Sequence, residues 1–181
     1  MPKIKQIYLS ASQQPNNHYT GAQFTEEESM HIFVRDHLAP KLIDKGYDVK
    51  TSDPKGTMES NVAEANAWMG RGGMYLAWHT NASGTGKNDG TLVLVYPSVK
   101  SHIIGECLYN EIAPATPSSD EGIRENPSLY ELRKTLSPAV LTEIFYHDNL
   151  ADVKWGLTHF DQIAEAAANA IDKAVDILAA A

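Results

Sequence analysis

The sequence predicts an α/β fold: one domain, a mostly parallel, twisted sheet of about five to six strands, and helices on both faces. Short apolar runs of strand length alternate along the chain with longer stretches whose apolar residues recur at helical intervals. Polar, turn-rich segments follow the strand-like runs. With 181 residues, 43% of them hydrophobic and 21% charged, the chain can bury one core without disulfide staples.

Residues 4–9 form a first short strand that delivers the polar loop 10–17. Thr25-Glu26-Glu27-Glu28 has capping-box spacing, and Met30, Phe33, Val34, Leu38 and Leu42 continue it as a helix that Gly46 stops. Residues 47–50 give a second strand. Met58, Val62, Ala65 and Met69 mark a second amphipathic helix before the turn Gly70-Arg71-Gly72-Gly73. A third strand covers 74–79. The near-continuous aliphatic run 91–96 suits a strand buried on both faces, ended by Pro97. Helical spacing returns over 103–112, residues 114–127 read as a turn-rich loop, and 139–145 are a fifth apolar strand. An alanine-rich helix over 160–178 closes the chain.

Composition excludes several functions. A net charge of -8, from 23 acidic and 15 basic residues, provides no positive field for a nucleic-acid backbone. Cys107, alone among apolar neighbours, is expected to be a small core residue. No stretch is long enough for a signal-peptide core or a membrane span, so the protein is expected to be made soluble in the cytoplasm, with no membrane partner.

Three polar features fall where such a sheet places an active site. His79 ends the run Tyr75-Leu76-Ala77-Trp78, a rigid mount for a metal ligand; a histidine hydrogen-bonded at a strand end is the alternative. Glu143 interrupts an apolar strand, where an isolated carboxylate is costly unless paired, protonated or near a metal; an ion pair with Arg124 or Arg133 is the structural alternative. Glu26 sits in a first helical turn, where the helix dipole favours a carboxylate in any protein.

Three blocks resemble the N-acetylmuramoyl-L-alanine amidase family (amidase type 3) of bacterial autolysins and phage endolysins. They are the opening strand and loop with Glu26; Glu64-x-Asn66-Ala67 with Tyr75-Leu76-Ala77-Trp78-His79-Thr80-Asn81-Ala82 and Gly90-Thr91; and Gly122-Ile123-Arg124, Leu129-Tyr130-Glu131-Leu132-Arg133 and Pro138-Ala139-Val140-Leu141-Thr142-Glu143 with Asn149. The resemblance implies a zinc-dependent catalytic domain over 1–181 that cuts the amide between N-acetylmuramic acid and L-alanine in peptidoglycan. It places Glu26 and His79 as zinc ligands and Glu143 as the catalytic base. Where the family usually has Gly-His-Gly, this chain has Ser12-Gln13-Gln14, so His18 is expected as the displaced first ligand, with Gln13 and Gln14 as alternatives and His147 in reserve. Asn81 and Arg124 are expected to contact substrate at the rim. The protein is expected to act on the cell wall as a monomer, in the manner of a phage lysin released without a signal peptide. A metal-free wall-binding module and a zinc peptidase acting within the stem peptide are the competing readings.

Overall fold

The structure, a computed structural model, describes residues 4–117 and 121–180. Residues 1–3, 118–120 of the expected loop, and 181 lie outside the described residues. Its sheet has six strands: β1 (Gln6–Ala11), β2 (Asp48–Thr51), β3 (Met74–Asn81), β4 (Leu92–Val95), β5 (Gly122–Glu125) and β6 (Ala139–Tyr146). Their order is β2-β1-β3-β6-β4-β5. β2, β1, β3 and β6 are parallel, while β4 runs antiparallel to β6 and β5 runs with β4. The mostly parallel sheet expected from the sequence is therefore present, with a reversed pair at one edge.

Strand alternation sends successive side chains to opposite faces. Ile7, Leu9, Leu76, Trp78, Val140 and Ile144 enter the larger core. Over it pack α1 (Glu26–Ile32) with its continuation into α2 (Ala39–Asp44), α4 (Val99–Ile112), α6 (Leu150–Gly156) and α7 (Phe160–Ala180). Tyr8, Tyr75, Ala77 and Leu141 face the other way, covered by Val62, Ala65 and Met69 of α3 (Met58–Met69) and Leu132 of α5 (Tyr130–Lys134). That cover stops short of the β4–β5 edge, where Arg124 is exposed. One face is thus closed by helices, and the other stays partly open.

The capping box at Thr25 and Glu28 forms as the sequence predicts, and Gly46 ends α2 with φ +87°. Cys107 is buried. Between α1 and α2 the helix widens into a π-helical segment, Phe33–Leu38. Pro40, at the start of α2, lacks the N–H that would continue the regular ladder, and apolar spacing alone does not register this. The aliphatic run 91–96 contributes β4, but β5 and α5 were not read from the sequence. β5 is a polar edge strand of four residues and α5 a helix of five, too short to show a period. Among the described residues no helix is long and apolar enough to cross a membrane.

Helix α4 lies close on the sheet because of Gly105: a Cβ added there would stand 2.5 Å from Val95 Cγ1. Alanine is the better helix former by about 1 kcal/mol, yet overpacking costs about 1–3 kcal/mol. We expect Gly105→Ala to lower stability by roughly 1–2 kcal/mol in denaturant unfolding, the clash outweighing the propensity.

Candidate active site

His79 and Glu143 are register partners on the adjacent strands β3 and β6, near the strands' C-terminal ends. Just beyond them the pairing slips, so that Asn81 opposes Tyr146. Such an irregularity re-aims side chains beside a site. Ser10 of β1 pairs with Ala77 and shares this face.

Glu26 reaches the same point from the first turn of α1 and is fully buried. Its Oε1 lies 2.9 Å from His79 Nδ1, and it accepts the Thr80 N–H at 3.3 Å. Oε2 accepts from Asn17 Nδ2 at 2.7 Å. Burial alone would raise the Glu26 carboxyl, but the hydrogen bond and charge of His79, with Asn17, hold it below the ordinary value.

His18, the expected first ligand, is placed at the surface. The chain at His18 bridges Thr25 in extended form, so neighbouring residues alternate in direction. Asn17 and Tyr19 turn inward, to Glu26 and into the core, and His18 is left exposed. It is not brought to Glu26 and His79.

Glu131, from α5, supplies the other side of the site. Its Oε1 accepts from Ser10 Oγ and Tyr75 OH, both at 2.7 Å, and its Oε2 lies 3.2 Å from His79 Nε2. The imidazole is thus held between two buried carboxylates. Burial would lower His79, but Glu131 and Glu26 raise it well above the ordinary value. A buried carboxylate at each ring nitrogen favours the protonated form, which can donate from both. Burial would raise Glu131, and donors from His79, Tyr75 and Ser10 hold it down.

Glu143 behaves oppositely. Neither Arg124 nor Arg133 pairs with it, and Oε2 is buried without a hydrogen-bond partner. Burial pushes its carboxyl up to about 7, with His79 opposing and Glu26 and Glu131 reinforcing the shift. A carboxylate that ionises near neutrality is poised to exchange protons.

The remaining candidates lie around this cluster. Gln13 donates Nε2 to the Asp53 carbonyl at 3.1 Å, which turns the amide so that Oε1 is buried without a donor. Gln13, Gln14, His79, Glu131 and Ser10 line a shared cavity of about 150 Å³. His147 stacks on Tyr19, its Nδ1 3.0 Å from the Thr80 carbonyl and 3.8 Å from Glu26 Oε2. The Asn81 side chain accepts from the Ala82 N–H, ordering the following loop. Arg124 lies two strands from β6 on the edge strand, on the face that carries Glu143, and pairs with Glu121 at 2.9 Å.

A family model described as N-acetylmuramoyl-L-alanine amidase matches residues 13–173. The chain belongs to the N-acetylmuramoyl-L-alanine amidase family. Solved amidase structures share its fold. The catalytic domain of CwlV from Bacillus (Paenibacillus) polymyxa var. colistinus superposes with TM-score 0.80 at 19% identity, over 96% of this chain and 99% of that one. The amidase from Clostridium difficile 630 gives 0.83 at 18% identity, over 96% and 98%. The catalytic domain of the CD27L endolysin, described as targeting Clostridia difficile, gives 0.72 at 20%, over 92% and 96%. An uncharacterized protein of Clostridium perfringens is 27% identical over 137 residues, 75% of this chain and 29% of that protein. The chain thus spans less than a third of that relative's length.

Members of this amidase family are generally zinc-dependent. Among the described residues, no three His, Cys, Asp or Glu side chains converge closely enough to hold a metal. The surroundings of His79 are nonetheless rich in acceptors and poor in donors. Glu26, Glu131 and Glu143 face one imidazole, and Glu143 Oε2 and Gln13 Oε1 are buried acceptors without donors. Buried acceptors in excess are what a cation satisfies. Glu26 and His79, 2.9 Å apart, are the pair around which a cation would be held, and Gln13, whose Oε1 is buried without a donor, borders the same cavity as His79. Glu131 was not singled out from the sequence. It stood in a quoted block, but α5, which aims it at His79, left no periodic signal.

Proposed function

We propose that this domain is a peptidoglycan hydrolase that cuts the amide between the lactyl group of N-acetylmuramic acid and L-alanine. The observation that carries the reading is the convergence of Glu26, His79 and Glu143, drawn from three segments of a chain matched by the amidase family over most of its length. Zinc would be held by Glu26, His79 and the Gln13 amide oxygen. When bound, it supplies polarisation of the scissile carbonyl and acidification of water toward a pKa of roughly 7.

The chain's own residues do the rest. Glu143, ionised at working pH, takes the proton of the attacking water and passes it to the departing alanine nitrogen. Its apolar surroundings keep the carboxylate basic. The glycan and peptide lie across the open sheet face, with Asn81 and Arg124 at the rim. A role on the cell wall, of the lysin type, follows from that substrate.

Elemental analysis of bound metal tests the ligand set. About one zinc per chain is expected in the wild type and in His18→Ala, with loss in His79→Ala and Glu26→Ala and weakening in Gln13→Ala. Zinc lost with His18→Ala would restore that histidine as the ligand. A protein that takes up no zinc when offered it would favour the metal-free wall-binding module.

A further inference from the structure

Glu131 is a buried carboxylate that the proposed reaction leaves without a task. Apolar residues of similar volume commonly replace buried charges with no loss of stability, so packing alone gives no reason for a carboxylate here. Both of its oxygens have partners. Ser10 and Tyr75 hydroxyls brace Oε1, leaving Oε2 aimed at His79 Nε2. The backbone that carries it is fixed as well. Leu132 is anchored in the smaller core, and Thr135 Oγ1 donates to the Glu131 carbonyl at 2.6 Å.

An imidazole on a strand can turn about its outer torsion, which has only broad preferences, and exchange the nitrogen it presents. We propose that Glu131 is a positioning residue for His79, holding Nε2–H so that Nδ1 is the nitrogen presented to Glu26 and to a bound cation. The consequence for metal binding rests on the proposed function; the orientation itself does not. Histidines that ligate metals generally donate the second N–H to a carboxylate or carbonyl, which fixes the tautomer and the ring. Here the carboxylate comes from a separate five-residue helix and is braced by two hydroxyls from β1 and β3.

The test compares Glu131→Met, which fills the space without a hydrogen bond, with Glu131→Gln, whose amide oxygen can still accept from Nε2–H. Two readouts are taken on each: the nitrogen-15 spectrum of the His79 ring, and zinc affinity by competition with a chelator. Glu131→Met should remain folded, lose the protected Nε2 proton, and bind zinc about 10–100-fold more weakly. The glutamine variant should stay within a few-fold of wild type in affinity and keep the ring signal. Tyr75→Phe, which removes one brace, should fall between them. A methionine variant with wild-type ring spectrum and zinc affinity would overturn the proposal, as would a glutamine variant as impaired as methionine. If the wild type takes up no zinc, the proposed function fails, and the ring spectrum alone decides whether Glu131 positions His79.

Discussion

Glu143→Gln should abolish wall hydrolysis, lowering kcat by about 10²–10⁴-fold, while the fold and any bound metal are retained. Glutamine keeps the shape of the side chain but cannot take a proton from water. The same substitution has a stability signature of known sign. In the metal-free protein the folded-state value of about 7 lies above the ordinary 4.5, so ionisation opposes folding. The stability contributed by protonated Glu143 is lost as pH rises from 4.5 to about 7 in the wild type and is absent from the glutamine variant. The melting temperature of the variant relative to wild type should therefore climb across that window. Equal hydrolysis by the two proteins would remove Glu143 from the chemistry.

His79→Ala should be the most damaging single change, in activity and in stability together. It removes the group that both Glu26 and Glu131 address and leaves these two buried carboxylates beside the half-buried Glu143. Breaking a buried pair by deleting one partner costs about 3–5 kcal/mol, because the surviving charge is uncompensated. The deficit should be largest at neutral pH and shrink in mild acid, where the stranded carboxylates take up protons. Urea unfolding at the two pH values measures this. A variant as stable as wild type at neutral pH would show that the Glu26–His79–Glu131 contacts carry little of the fold's stability.

What the sequence disclosed depended on length and period. Strands β1, β3 and β6 and the long helices announced themselves because six or more residues are enough to show an alternation or a 3.6-residue repeat. Thr25 and Glu28 disclosed a helix start through local chemistry that needs no tertiary context. β5 and α5 did not: β5 is as short as β2 and β4 but lacks the aliphatic run that marks β4, and the five residues of α5 carry no helical period. The missing α5 hid Glu131, whose role depends on a contact 52 residues away in sequence. His79 and Glu143 were legible because polar groups in apolar strands stand out. The first-ligand position was not, because whether residue 18 points in or out depends on a single bridge between His18 and Thr25. A shift of one residue there would have exchanged His18 for Asn17.

The most direct measurement is the chemistry of the ends that the purified domain creates in isolated peptidoglycan. Cleavage should expose the amino group of L-alanine and leave a lactyl carboxyl on the sugar, with no new reducing sugar and no cut within the stem peptide. New ends confined to the stem peptide, or no new ends from a folded, zinc-loaded protein, would contradict the assignment.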